Sequence, residues 1–220
     1  MKSVSVIIPA LNEEKNIAKV INKIKDLSVI NEIIIVDNNS TDKTKEIVES
    51  FGITPLLCDK RGKGYAMEYG LKHAKGEYIL FMDADICNYN EKFVEKMLEP
   101  IINDDYDFVK STFKREGGRV TELVAKPLLE LTFPKLTKFH QPLSGIIAGK
   151  KTLFEQIEFE KDYGVDIGIL IDIYKMNAKM TEVNIGKITN DSQSWKNLTH
   201  MARQVSKAIL KRKKRRSYVK

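Results

Sequence analysis

The feature that most limits the fold is a repeated alternation: an unbroken apolar run, a polar turn, then apolar residues at helical spacing. "SVSVIIPA" is followed by Asn12, Glu13 and Glu14, and then by Ile17, Val20, Ile21 and Ile24, which share one helix face. Asn12 is expected to cap that helix, with the two acids in its first turn. "EIIIVDNNSTDKTKEIVESFG" repeats the pattern and ends on Gly52. "TPLLC", the turn "RGKG", a helix to about Ala74 and "YILFMDAD" make a third unit and the strand after it. Strands that are apolar along their whole length, alternating with amphipathic helices, require a mostly parallel sheet with helices on both faces.

The second half is less regular. "DFVKSTF" reads as a strand, "VTELVAKPLLELTF" as a helix interrupted by Pro127, "SGIIAG" as a buried strand and "VDIGILIDIYKM" as a largely buried helix. "TEVNIG" is the last strand, and "SWKNLTHMARQVSKAILKRK" a long amphipathic helix. No internal repeat and no linker rich in Gly, Pro or Ser divides the 220 residues. One α/β domain over residues 1–210 is expected, in halves 1–113 and 114–210, with residues 211–220 as a basic tail. The net charge of +7 resides mainly in "KAILKRKKRRSYVK", which reads as a solvated, frayed terminus.

With 42% hydrophobic and 30% charged residues, the composition excludes a disordered chain. No apolar stretch approaches the ~20 residues needed to cross a bilayer, and no signal-peptide pattern follows Met1, so a cytoplasmic protein is expected. Cys58 and Cys87 are too few for a disulfide framework and read as packed residues.

Ligands in open α/β sheets bind beyond the carboxyl ends of the strands. Pro9 to Asn12, Asp37 to Ser40, and Asp83 to Asp85 all fall there. "FMDADI" presents Asp83 and Asp85 on one side of the chain at a strand mouth, suited to a hard divalent cation. "DDYDF" has the same spacing at Asp105 and Asp107 but precedes its strand, so it lacks that strand-end position and the ligand role is favoured for the first pair. In "RGKG", glycines let the backbone approach an anion and Lys63 supplies a positive point charge. His73 and His200 read as surface or packing residues, His140 lies closer to the site, and Trp195 is expected to pack between the last strand and helix. No Ser/His/Asp order is present, and the cysteines have no partner histidine.

"VSVIIPALNEE", "VDNNSTDKT", "GKGYAM" and "FMDADI" resemble the nucleotide-sugar half of GT-A fold glycosyltransferases. "VKSTFKREGGRVTELVAKPLL", "QPLSGIIAG", "YGVDIGILID" and "MARQV" resemble the glucosyl-3-phosphoglycerate synthases over nearly the whole chain. The resemblance implies that Pro9, Ala10, Leu11 and Glu13 contact the nucleoside, with Asn38, Lys63 and Asp83 completing the pocket. Asp85 would ligate Mg²⁺ or Mn²⁺. Gly118, Arg119 and Thr121 would grip the acceptor, the Leu143 carbonyl would lie near its hydroxyl, and Asp166 would lie by the sugar. Asn190 stands where that family has a metal-binding histidine, with Asp191 beside it as a possible oxygen ligand. Ser192 and Gln193 replace basic residues, Asp166 replaces the usual Glu, and the family's longer N-terminal extension has no counterpart here.

The expected activity is retaining transfer of glucose from UDP- or GDP-glucose to the 2-hydroxyl of 3-phosphoglycerate. A local cation is needed on physical grounds as well, since two anions meet: each unit-charge repulsion near 4 Å costs about 4 kcal/mol at an effective dielectric near 20. Arg119 offers a bidentate fork for the second anion, and Lys110, Lys114 and Arg115 raise the local potential. The alternatives are a polyprenyl-phosphate glycosyltransferase and a nucleotide-sugar-binding protein with impaired catalysis. Neither nucleic acid nor stable membrane insertion is expected, and a homodimer is compatible with the sequence.

Overall fold

The computed structural model describes residues 2–85, 92–114, 118–188 and 194–214. Among these residues, seven strands form one sheet: β1 (Val4–Ala10), β2 (Glu32–Asp37), β3 (Leu56–Leu57), β4 (Tyr78–Phe81), β5 (Phe108–Lys114), β6 (Ile147–Lys150) and β7 (Met180–Lys187). Their spatial order is β3-β2-β1-β4-β6-β5-β7. All neighbours run parallel except β6, which lies antiparallel to both β4 and β5. The reversal has a consequence for function: with β6 between them, β4 and β5 still point the same way. Segments leaving β1, β2, β4, β5 and β7 therefore emerge along one edge.

Among the described residues, eight α-helices clothe the sheet: α1 (Ile17–Ile24), α2 (Thr44–Ser50), α3 (Lys63–His73), α4 (Phe93–Asn103), α5 (Lys126–Thr132), α6 (Lys151–Phe154), α7 (Val165–Lys175) and α8 (Trp195–Lys214). The period-two alternation of the strands divides the core into two. Ile7, Ile79, Phe81, Phe108 and Ile147 pack on the face that holds α3, α5, α7 and α8. Val6, Ile8, Leu80, Val109 and Ala148 pack on the face that holds α1 and α4. In α1 the predicted stripe of Ile17, Val20, Ile21 and Ile24 is completely buried. Each such side chain contributes about 1.5–3 kcal/mol of transfer free energy.

Local details depart from the sequence reading. Asn12 does not cap α1, which starts only at Ile17. Its φ of 57° turns the chain aside, and its Oδ1 accepts from the Thr41 amide at 2.8 Å, clipping the β1 and β2 exits together. Of "TPLLC", only Leu56 and Leu57 join the sheet. Pro127 does not break its helix. A π-helical turn, Thr121–Ala125, widens the backbone just ahead of it, and α5 continues from Lys126.

The basic run is not all solvated tail. α8 continues to Lys214, and Arg212 is only 2% exposed. Its guanidinium bonds Asp172 through Nε (2.9 Å) and Nη2 (2.6 Å), Glu160 through Nη1 (2.5 Å), and the Glu158 carbonyl (3.1 Å). Lys211 reaches Glu158 and Glu160. Positive charge in a basic run goes inward here because three acidic residues on two segments, Glu158, Glu160 and Asp172, await it. As expected, Cys58 is buried; Asp107 pairs with Lys150 at 2.7 Å. Cys87 and Arg115 lie outside the described residues. Among the described residues, no helix is long and apolar enough to cross a membrane.

Candidate functional site

The shared strand edge gathers the predicted donor residues. Ala10 pairs in register with Asp37, and Asp37 with Leu57, so the exits of β1, β2 and β3 are aligned. Pro9, Leu11 and Glu13 are partly exposed along that edge, while Ala10 is buried. Asn38 is 3% exposed, and its amide is committed to the protein. Nδ2 donates to the carbonyls of Cys58 (3.1 Å) and Lys60 (2.8 Å), and Oδ1 accepts from the Gly62 amide (2.7 Å). The side chain therefore fixes the loop that delivers Lys63.

The glycines flanking Lys63 answer to packing. A Cβ on Gly62, which has φ 144°, would sit 2.2 Å from the Lys161 carbonyl oxygen, and one on Gly64 only 1.6 Å from that of Glu160. Only bare backbone lets the start of α3 press against residues 160–161. The Gly64 amide donates to Lys161 O at 3.2 Å, completing the contact.

Lys63 then joins two carboxylates that are distant in sequence. Its Nζ donates to Asp83 Oδ1 at 2.8 Å and to Asp166 Oδ2 at 2.9 Å. Burial opposes the lysine's charge, but Asp166 and then Asp83 hold its pKa above the ordinary value. Burial raises the Asp166 carboxyl, with Lys63 pulling it back, and the net direction is upward. Oδ1 of Asp166 is buried without a hydrogen-bond partner among the described residues. A buried, unsatisfied acceptor beside a strand-edge site is an available anchor for a ligand hydroxyl.

Gly145, which sequence reasoning missed, closes the group from above. A Cβ there would lie 2.3 Å from Asp83 Oδ1 and 2.4 Å from Lys63 Nζ. "QPLSG" carries no local signal of this, because the constraint comes from side chains far along the chain. Leu143, two residues earlier, is half-buried and precedes the buried Ser144.

Asp85 stands at the lip, with its side chain open to solvent although protein crowds around it. That crowding pushes its carboxyl up to about 6, with Asp83 and then Glu13 adding to the rise and Lys63 opposing. Two ammoniums, Lys63 and the buried Lys110, face three acidic side chains, Asp83, Asp85 and Asp166, which leaves negative charge in excess. This electrostatic condition suits Mg²⁺ or Mn²⁺, hard cations that bind through one or two carboxylates and take water and phosphate oxygens for their other positions. Among the described residues no group of three or more His, Cys, Asp or Glu side chains is disposed to hold an ion. Asn190 and Asp191, the predicted further ligands, lie outside the described residues, as do Ser192 and Gln193.

The predicted acceptor residues follow β5 from the same edge. Gly118 has φ 85°, and its carbonyl accepts from the Glu122 amide at 3.0 Å, starting the helix. Arg119 is exposed, and Thr121 is 1% exposed within the π turn. Trp195 does not pack between strand and helix: it is 68% exposed, and the Arg119 guanidinium lies 4.9 Å from its ring centroid. Such stacking holds a guanidinium plane while leaving its N–H edge free. His140 is an exposed residue bonded to Glu182 at 2.7 Å. His73 and His200 are exposed on their helices.

Known proteins give the geometry a context. The model of a family described as "Glycosyl transferase family 2" matches residues 5–160. The glucosyl-3-phosphoglycerate synthase of Mycolicibacterium smegmatis is 34% identical over 96% of this chain and 78% of its own length. The enzyme of the same name from Petrotoga mobilis is 34% identical over 95% of this chain and 73% of its own. Among solved structures, glucosyl-3-phosphoglycerate synthase from Mycobacterium tuberculosis in complex with Mn²⁺, UDP-glucose and phosphoglyceric acid superposes with a TM-score of 0.93. It is 33% identical, and the match covers 99% of this chain and 81% of that one.

Proposed function

The chain belongs to glycosyl transferase family 2, and from that premise we propose that it transfers glucose from UDP-glucose to the 2-hydroxyl of 3-phosphoglycerate with retention at the anomeric carbon. The observation that carries the reading is the convergence of Lys63, Asp83, Asp166 and Gly145 at the edge from which Arg119 also departs. The relatives named above support UDP as the donor nucleotide and 3-phosphoglycerate as the acceptor.

Pro9, Ala10, Leu11 and Glu13 line the nucleoside side, and Asp83 orients Lys63. The third N–H of Lys63 turns to the diphosphate, since two carboxylates occupy the others. Asp85, with Asn190 or Asp191, would hold Mg²⁺ or Mn²⁺. The chemistry supplied there would be neutralisation of the charge that grows on the departing diphosphate. Asp166 Oδ1 accepts from a sugar hydroxyl, which fixes the ring. Asp is one methylene shorter than Glu, so Lys63 holds this carboxylate in place at the start of α7. Arg119 forks onto the acceptor's phosphate or carboxylate, with the Gly118 backbone and Thr121 beside it. The Leu143 carbonyl borders the attacking hydroxyl. Among these groups none serves as a covalent nucleophile, which suits attack from the leaving-group face, the departing phosphate oxygen taking the acceptor proton. Positioning and electrostatics then supply the rate.

Replacing Arg119 separates acceptor from donor. Arg119→Ala is expected to raise the KM for 3-phosphoglycerate by about 10- to 100-fold, the worth of a charge-assisted pair, and that for UDP-glucose by less than about threefold. Equal changes in both would remove the acceptor assignment.

A further inference from the structure

Lysine is almost never fully buried unless paired with an acid. Lys110 is 0% exposed in the middle of β5, on the sheet face shared with Phe108 and α7. Its two hydrogen-bond partners are backbone: Nζ donates to the Ser144 carbonyl at 2.8 Å and to the Asp166 carbonyl at 3.3 Å. Burial depresses its pKa to about 8, with Asp166 opposing. A strand interior is better filled by an apolar side chain, so the position costs stability.

What the ammonium joins explains the cost. Ser144 lies between Leu143 and Gly145, and Gly145 abuts the Lys63–Asp83 pair. Asp166 opens α7 with one oxygen on Lys63 and the other unpartnered. The neighbouring strand residue adds a second tie to the same segment: Ser111 and Ser144 share a hydroxyl–hydroxyl bond of 2.6 Å, and Ser144 Oγ also accepts from the Ile146 amide.

We propose that Lys110 is a positioning residue for glucosyl transfer, tying the Leu143–Gly145 backbone to the first turn of α7 so that acceptor-side carbonyl and sugar-side carboxylate keep one spacing. The role rests on the activity proposed above. Lys110 touches no substrate. It sets the distance between two groups that do, and a misplacement of about 1 Å at reacting groups costs about 100-fold in rate.

The test compares wild type, Lys110→Gln and Lys110→Met in steady-state transfer from UDP-glucose to 3-phosphoglycerate with Mn²⁺. Rates are normalised to the folded fraction measured by circular dichroism at the assay temperature. Lys110→Met, which has no donor, is expected to lower kcat by about 100-fold while both KM values stay within about threefold. Lys110→Gln, whose shorter neutral amide reaches one carbonyl, is expected to fall between the two. Either variant within about twofold of the wild-type kcat, or a loss confined to KM, overturns the role. A wild type that forms no glucosylated phosphoglycerate overturns the activity itself, and is recognised before any variant is compared.

Discussion

Adding one methyl group at Gly145 tests how tightly the site is built. Its Cβ would fall 2.3 Å from Asp83 Oδ1 and 2.4 Å from Lys63 Nζ, whereas ordinary contact begins at 3.4 Å. Both side chains overlap it, so Asp83 and Lys63 must each shift by about 1 Å. The atoms in the way are side-chain ends, so the fold can tolerate the change. The 2.8 Å Lys63–Asp83 bond cannot. A charge-assisted bond contributes about 1.5–3 kcal/mol, and Gly145→Ala should lose about 10- to 150-fold in kcat/KM for UDP-glucose. Displaced Lys63 also loses its aim at the diphosphate, so kcat should fall along with donor affinity, while the acceptor KM changes little. Initial rates over a donor series at saturating acceptor, with thermal melts as control, measure this. A folded Gly145→Ala enzyme with wild-type kcat/KM would show that the Lys63–Asp83 geometry does not govern catalysis.

Other perturbations probe the frame and the metal. Arg212→Met removes a buried guanidinium from Asp172 and Glu160, whose side chains are 21% and 15% exposed. Breaking such a pair costs ~3–5 kcal/mol; with Lys211 still beside Glu160 the lower end applies, a Tm loss of about 6–12 °C for a chain of this size. An unchanged Tm would return the basic run to the status of a tail. Burial, then Asp83 and Glu13, push the Asp85 carboxyl up to about 6, above the ordinary carboxylate range. The metal-free protein should therefore lose stability as pH rises from about 4 through 6, and Mn²⁺ should restore it above 6. Mn²⁺ affinity should fall about tenfold per pH unit below 6, and Asp85→Asn should abolish the dependence. Calorimetric titration at pH 5, 6 and 7 reads both, and a pH-independent affinity contradicts the assignment.

Which parts were legible in the sequence follows from how far each cause lies along the chain. The βα units of the first half were legible because strand runs, turn residues and helix stripes are local patterns. The strand-mouth position separated Asp83 and Asp85 from the similarly spaced Asp105 and Asp107, of which Asp107 is paired with Lys150. The reversal of β6 was hidden, since a short apolar strand reads alike in either direction and its partners are non-local. Asn12 looked like a cap because capping and loop-clipping use the same short amide; only φ tells them apart. Lys63 meeting Asp166, 103 residues away, is a tertiary fact, as is the pressure of residues 160–161 on Gly62 and Gly64. The burial of Arg212 within the basic run has a physical reason: composition predicts exposure of charge on average, and specific acidic partners override it.

The most direct test is a donor-by-acceptor matrix: UDP- and GDP-linked glucose and mannose, each with 3-phosphoglycerate and with a polyprenyl phosphate, with and without Mn²⁺, the anomeric product assigned by NMR. The account predicts one productive pair, UDP-glucose with 3-phosphoglycerate, giving an α-linked product that vanishes on chelation of the metal. A lipid-linked sugar without any glucosylated phosphoglycerate would contradict it.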